Sequence, residues 1–352
     1  MKIFLAKTFL KPADIDFNYS KILAVYEEAV KDNCDLLIFG EMSITGFPVY
    51  DELLDESFIK KSDELLEKIV DSTKGKKTRI LLGCPYFIKE HEKEGIIKKS
   101  ELFNSVILIN DGYIDSISSK TNISKLNLFN EYRYFDKEAV LKSINYENDN
   151  FDVLIDDDIL ENKNILYIKE RDTDFVICLD CELQQNINTK KKQLIKIAKW
   201  TGKNIIYLNN LSYDIKNEYS FLGESFVVNN IGEIIYENES INEDLLKFET
   251  NIVNGKILIK NINKISKNMD FFDIIANNYK EKTIICEITG KNSLPKSKNI
   301  KLITFDEKLK DENVEFVNYK NYAKNIKLDG AFKNIIMQNL SIKNKVDFFL
   351  KR

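Results

Sequence analysis

The chain predicts an α/β layered fold, on three observations. Strand and helix signals alternate through the first 240 residues, hairpin turns lie among the strands, and three apolar runs each end in a polar residue that opens a loop. "KIFLAKT" (2–8) reads as a buried strand, and "NYSKILAVYEEAVKDN" (18–33) carries Ile22, Leu23, Tyr26, Ala29 and Val30 at helical spacing. "DLLIF" (35–39) is a second strand and 51–74 a long helical region. Strands at 78–87 and 103–110 follow, and Asp111-Gly112 turns the chain into "YIDSISS" (113–119). Residues 136–163 are acidic and aperiodic and read as an insertion. The apolar segments 164–170 and 174–178 read with the strands, ahead of a helix over 190–202, a strand at 204–210 and a hairpin at 225–237. From about 250 the pattern restarts with two helices and three short strands, "TIICEI", "IKLITF" and "VEFVNY". The division this suggests is a main domain over 1–248 and a small α/β extension over 249–352.

Composition narrows the function. The chain has 352 residues, 43% of them apolar, and a net charge of −4, which argues against a nucleic-acid binder. It contains no apolar run of membrane-spanning length and no signal-peptide pattern, so a cytoplasmic protein with no membrane partner is expected. Five cysteines without a disulfide framework agree with a reducing compartment. The one histidine, His91, lies in the charged stretch "KEHEKEG" and reads as a solvated loop residue, which removes histidine-dependent triads and most zinc sites. Neither a cofactor nor a metal is expected.

The informative residues close the strands. "DLLIF" runs into Gly40 and Glu41, "YIDSISS" into Lys120, and "DFVI" into Cys178. Each has an ordinary structural explanation alone: strand-end carboxylates and lysines are commonly solvated, and free cysteines are commonly buried. Together they offer a nucleophile, a base and an oxyanion cation without histidine. A Cys178/Cys181 redox pair is a weaker alternative, because no thioredoxin-like context surrounds it.

These segments resemble the nitrilase superfamily, the carbon–nitrogen hydrolases with a Glu-Lys-Cys triad, and within it the glutaminase domains attached to NAD synthetases. The resemblance covers about residues 1–245. It rests on "LLIFGEMSITGFPVYDELL" (36–54), "KTNISKLNLFNEYRYF" (120–135), "VICLDCE" (176–182) and "SFLGESFVVNNIGEIIYE" (220–237). It implies a four-layer α-β-β-α sandwich and a homo-oligomer. It also implies cleavage of a small amide, glutamine favoured, through a cysteine thioester with release of ammonia, which a separate synthetase would accept. Carried over by position, Cys178 is the nucleophile, Glu41 the general base, Lys120 the oxyanion cation and Glu131 its support. Phe47 lines the substrate pocket, where the family often has a tyrosine. The tips of Glu41, Lys120 and Cys178 are expected within about 5 Å of one another. Strand alternation should keep Cys181 out of their pocket.

The pattern also breaks. In the family the nucleophile strand is followed by a helix, a strand, a substrate-holding loop and only then another helix. Between Cys178 and Lys190 there is no room for these. A lost inner strand is therefore expected, with residues 250–352 covering the exposed edge. Gly40 replaces a usual proline and Leu179 a polar neighbour of the nucleophile. Nucleotide-binding glycine motifs of the synthetase half do not occur in the sequence. A catalytically weakened subunit that binds or scaffolds is the rival reading.

Overall fold

A computed structural model describes residues 1–88, 101–123, 129–146, 149–173, 175–214, 219–238, 243–253 and 256–266, with strands at 284–288, 300–304, 314–316 and 346–350. His91, residues 124–128 of the lysine segment and both expected C-terminal helices lie outside the described residues.

The chain opens with β1 (Lys2–Lys7), β2 (Phe9–Leu10) and α1 (Ile15–Lys31). Asp14 caps α1 by accepting from the Phe17 backbone N–H at 3.3 Å. After β3 (Leu36–Ile38), a 3-10 turn over Tyr50–Leu54 precedes α2 (Glu56–Ser72), so the expected long helix is interrupted at its cap, Asp55. The strands β4 (Arg79–Ile88), β5 (Glu101–Asn110) and β6 (Tyr113–Ser119) form a meander. Its last turn uses the left-handed pair Asp111 and Gly112.

The stretch read as an insertion is built into the fold. It contains β7 (Ser143–Tyr146) and β8 (Asp149–Ile155), and a 3-10 turn over Asp156–Leu160 leads into α3 (Asn162–Glu170). Segment 164–170, read with the strands, is therefore helical. Its apolar residues Ile165 and Ile168 stand three apart and pack on one core, which is a helical spacing that a seven-residue window disguises. Next come β9 (Phe175–Asp180), α4 (Gln184–Thr201) and β10 (Asn204–Asn209). Gly202, at φ +71°, ends α4 in the left-handed conformation that glycine favours. The main domain finishes with β11 (Leu211–Asp214), β12 (Tyr219–Leu222), β13 (Ser225–Val228), β14 (Ile234–Asn238), β15 (Asp244–Val253) and β16 (Lys256–Ser266).

Two large sheets stack face to face. One has the order β16-β15-β1-β3-β4-β5-β6, the other β14-β13-β10-β9-β8-β7. Alternate residues of β1, β3 and β5 meet Phe151, Val153, Phe175, Ile177 and Leu208 in the core between the sheets. Helices α1 and α2 cover the outer face of the first sheet, and α3 and α4 that of the second. This is the four-layer α-β-β-α sandwich.

The expected loss of a strand does not occur. Strand β9 pairs in parallel with β8 on one side and β10 on the other, with α3 and α4 as crossovers, so the sheet is continuous there among the described residues. The first sheet does not end at residue 248 either. Strand β15 crosses that point, pairing Lys2 with Glu249, and β16 takes the edge beside it. The role given to residues 250–352, covering a deletion, falls with the deletion. Within them β17 (Ile284–Ile288), β18 (Ile300–Thr304), β19 (Val314–Phe316) and β20 (Val346–Leu350) form a separate sheet in the order β19-β18-β17-β20.

Candidate active site

Glu41 lies just past β3, in a loop held tightly against β4. The Ser43 N–H donates to the Gly83 carbonyl at 2.6 Å, and a Cβ on Gly83 would stand 2.3 Å from the Gly40 oxygen. Gly40 is needed for a similar reason. A Cβ there would overlap the Asn210 side chain, whose Nδ2 donates to the Glu41 carbonyl at 2.6 Å and to the Cys181 sulfur at 2.9 Å. The glycine in place of proline thus makes room for an amide that ties two strand ends together.

Lys120 closes β6 and is fully buried. Its Nζ donates to Glu131 Oε1 and Oε2 at 2.8 and 2.7 Å and to Asp156 Oδ2 at 2.7 Å, and stands 3.8 Å from Glu41 Oε1. Asn104 bridges the two glutamates, donating to Glu41 at 2.7 Å and to Glu131 at 3.2 Å. Asp158 fixes the lysine loop to the end of β8 by accepting from the Thr121 and Asn122 N–H groups at 3.0 and 2.6 Å. The four residues Glu41, Lys120, Glu131 and Asp156 line one pocket with Phe47, Phe129, Cys181, Glu182, Leu183 and Asn186. Phe47 packs edge-on against Phe129 and Phe221 and forms the apolar wall.

The structure does not bring Cys178 into this pocket. Along β9, Phe175, Ile177 and Leu179 face the core between the sheets, while Val176 and Cys178 face α3 and α4. Cys178 is fully buried there, its sulfur 4.0 Å from the Asp156 carbonyl. Cys181, expected to be excluded, lies past the end of the strand, where alternation no longer governs direction, and its thiol lines the pocket. Asp156, Asp158, Asn104 and Asn210 were not singled out in the sequence. The run "DDDIL" directly after an apolar strand was the visible signal for the two aspartates, and nothing in the sequence marked the two asparagines.

Burial dominates the electrostatics. It pushes the Glu41 carboxyl well above the usual range; Lys120 opposes this, and Asp156, Glu131 and Asp180 add to it. Glu131 is also raised, by burial first. Burial works against the Lys120 charge, but Asp156, Glu131 and Glu41 outweigh it and hold the ammonium on. Asp156 moves the other way: burial raises it, and the cations Lys120 and Lys190 pull it below the ordinary carboxylate range. Burial raises both Cys178 and Cys181 well above a free thiol; the largest electrostatic cause is Asp180 for the first and Glu41 for the second. Glu41 Oε2 and Asn104 Oδ1 are buried without a hydrogen-bond partner among the described residues, and the first of them belongs to a residue that lines the pocket. Asp156, Asp157 and Glu182 could converge on a cation, but the Lys190 ammonium already sits among them, 2.7 Å from Asp157.

Comparison with known proteins agrees with this fold. Residues 5–252 match the family described as carbon–nitrogen hydrolase. The glutamine-dependent NAD(+) synthetase of Acinetobacter baylyi is 25% identical over 253 residues, 71% of this chain and 44% of that protein. The Aquifex aeolicus protein of the same name is 24% identical over 257 residues, 70% of this chain and 41% of its own. The chain thus spans less than half the length of these relatives. Among solved structures, the glutamine-dependent NAD+ synthetase of Acinetobacter baumannii superposes with a TM-score of 0.62 at 26% identity, covering 74% of this chain and 47% of that one. An amidase from Nesterenkonia sp. shares the fold at a TM-score of 0.55 and 14% identity, over 80% of this chain and 95% of that one.

Proposed function

The chain belongs to the carbon–nitrogen hydrolase family, and from that premise we propose that its pocket recognises the carboxamide of a small, glutamine-like molecule. The observation that carries this is the buried frame of Glu41, Lys120, Glu131 and Asn104, in which Glu41, a pocket-lining residue, keeps its Oε2 without a hydrogen-bond partner among the described residues. A carboxamide supplies what the frame lacks. Its N–H groups suit the Glu41 acceptor, and its carbonyl oxygen would share the Lys120 ammonium with Glu131 and Asp156. The apolar wall of Phe47 and Phe129 suits a short aliphatic chain. Glutamine is the favoured ligand because the relatives are glutamine-dependent. Titration calorimetry of the full chain tests it. Saturable binding of glutamine, with glutamate at least tenfold weaker and K120M abolishing the signal, supports the reading. Equal affinity for the two, or none for either, overturns it.

Hydrolysis is the second step, and Cys181 is the thiol the pocket offers for it. Attack by its sulfur on the amide carbon, with Glu41 taking the proton and Lys120 holding the oxyanion, would give a thioester and ammonia. Linkage to NAD synthesis, through a synthetase that takes up ammonia, belongs to that reading and is read by ammonia release that C181A removes. The resting geometry favours retention of the amide instead. Lys120 is bonded to two carboxylates, and the Cys181 sulfur is held by the Asn210 amide beside the Glu41 carbonyl. In that case the domain acts as an amide-binding subunit. Residues beyond β16, with their own four-stranded sheet, would form the separate extension.

A further inference from the structure

Asp156 is the pocket residue that recognition alone does not explain. It is the first residue past β8 and adopts φ +51°, the left-handed region that non-glycine residues seldom occupy. A 3-10 turn starts on it and α3 follows, so strand gives way to helix in a sharp turn that aims one side chain back over the end of the sheet. That side chain is a carboxylate, 2.7 Å from the Lys120 ammonium and lining the pocket with Glu41. Its neighbour two residues on, Asp158, clamps the lysine loop against this same turn. Such a strand-to-helix turn is where α/β hydrolases expose an attacking group.

We infer that Asp156 stands at the point from which the attacking group of this site would act, and that a carboxylate there makes the pocket hold its amide rather than cleave it. The assignment rests on the amide reading of the pocket. It also accounts for the order of elements expected from the resemblance. Counted from Cys178, the helix, strand and substrate loop are missing; counted from Asp156, they are α3, β9 and the turn carrying Cys181, ahead of α4. The chemistry agrees. A carboxylate paired with Lys120 is a poor nucleophile toward an amide, and its attack would form a tetrahedral adduct that loses the carboxylate again more readily than it loses the amine, so the C–N bond stays intact. Its charge also occupies the lysine that an oxyanion would need.

The variant D156C tests the assignment. A thiolate at this point would form a C–S bond to the carboxamide carbon. The C–N bond then breaks, the electron pair leaves on nitrogen, and the proton that Glu41 took from the thiol goes with it as ammonia; water later cleaves the thioester. D156C is expected to release ammonia from glutamine at least tenfold faster than the unaltered chain and than D157C, one residue along. Independently of any glutamine binding, iodoacetamide should alkylate position 156 in D156C with a pH profile displaced at least one unit to acid relative to D156C/K120M, because Lys120 favours the thiolate. A matching profile for the two variants overturns the assignment. A displaced profile without ammonia release keeps the assignment and overturns the amide reading. Should D156C not fold, D156N serves: freeing Lys120 should tighten glutamine binding about tenfold, and unchanged affinity overturns the inference.

Discussion

Replacing Lys120 by methionine removes a buried cation that faces three carboxylates. Its ammonium lies 2.7 Å from both Glu131 and Asp156 and 3.8 Å from Glu41, and its side chain is 2% exposed. Breaking a buried ion pair from one side costs about 3–5 kcal/mol, since the partner charge is left uncompensated. A main domain of this size loses about 2–4 °C in Tm per kcal/mol, so the variant should melt roughly 6–20 °C lower at pH 8. The sign of the pH dependence follows from the same contacts. Without the lysine the pocket carboxyls have folded pKa values above their unfolded ones. Their protonated forms therefore stabilise the fold below the unfolded pKa, and that stability is lost as pH rises through the folded values. The deficit of K120M should thus shrink between pH 8 and pH 5, and E131Q on top of it should recover part of the loss. Thermal melts followed by circular dichroism read all three. A deficit under about 2 °C, or one that does not change from pH 8 to pH 5, would refute the idea that Lys120 neutralises this cluster.

The remaining predictions concern the thiols and the two buried aspartates. Mild alkylation followed by peptide mapping should label Cys181 before Cys178, Cys34 or Cys84, because Cys181 lines a pocket and the others are enclosed in core; labelling of Cys178 first would contradict the placement of β9. D158A should strip the acceptor from Thr121 and Asn122, cost about 2 kcal/mol or more in urea unfolding, and speed amide exchange at those two residues. Asp180 is raised to about 7, by burial first and by Asp156 and Glu182 after it, against Lys190. A raised carboxyl stabilises the fold below its unfolded pKa and loses that contribution as pH climbs to about 7. Stability should therefore fall from pH 5 to pH 8 in the unaltered chain, and less steeply in D180N.

How much of this was legible in the sequence depends on the scale of the pattern. Strands such as β1, β9 and β10 announce themselves as apolar runs, and the strand ends at Glu41 and Lys120 were visible because each run stops at a polar residue. Phe47 and Glu131 were found through the resemblance, and both line the pocket. The failure lay at residues 136–170. Strand β8 sets Phe151, Val153 and Ile155 on its core face, and the acidic residues in and beside it, at 149, 152 and 156, hid the strand in a segment read as an insertion. With β8 and α3 unread, the next apolar strand with a cysteine near its end was read as the nucleophile strand, and the elements after it looked too few. What settles the matter physically is which face of β9 each residue shares, and a sequence window does not show which face meets helices and which meets the other sheet.

The central claim, a carbon–nitrogen hydrolase pocket that holds an amide without cleaving it, is tested most directly by the intact mass of the full chain. The sample is incubated with saturating glutamine, quenched in acid before a thioester can hydrolyse, and weighed beside D156C treated in the same way. The account predicts an unchanged mass for the unaltered chain and a glutamyl adduct on D156C that maps to position 156. A glutamyl adduct on Cys181 or Cys178 of the unaltered chain would contradict it.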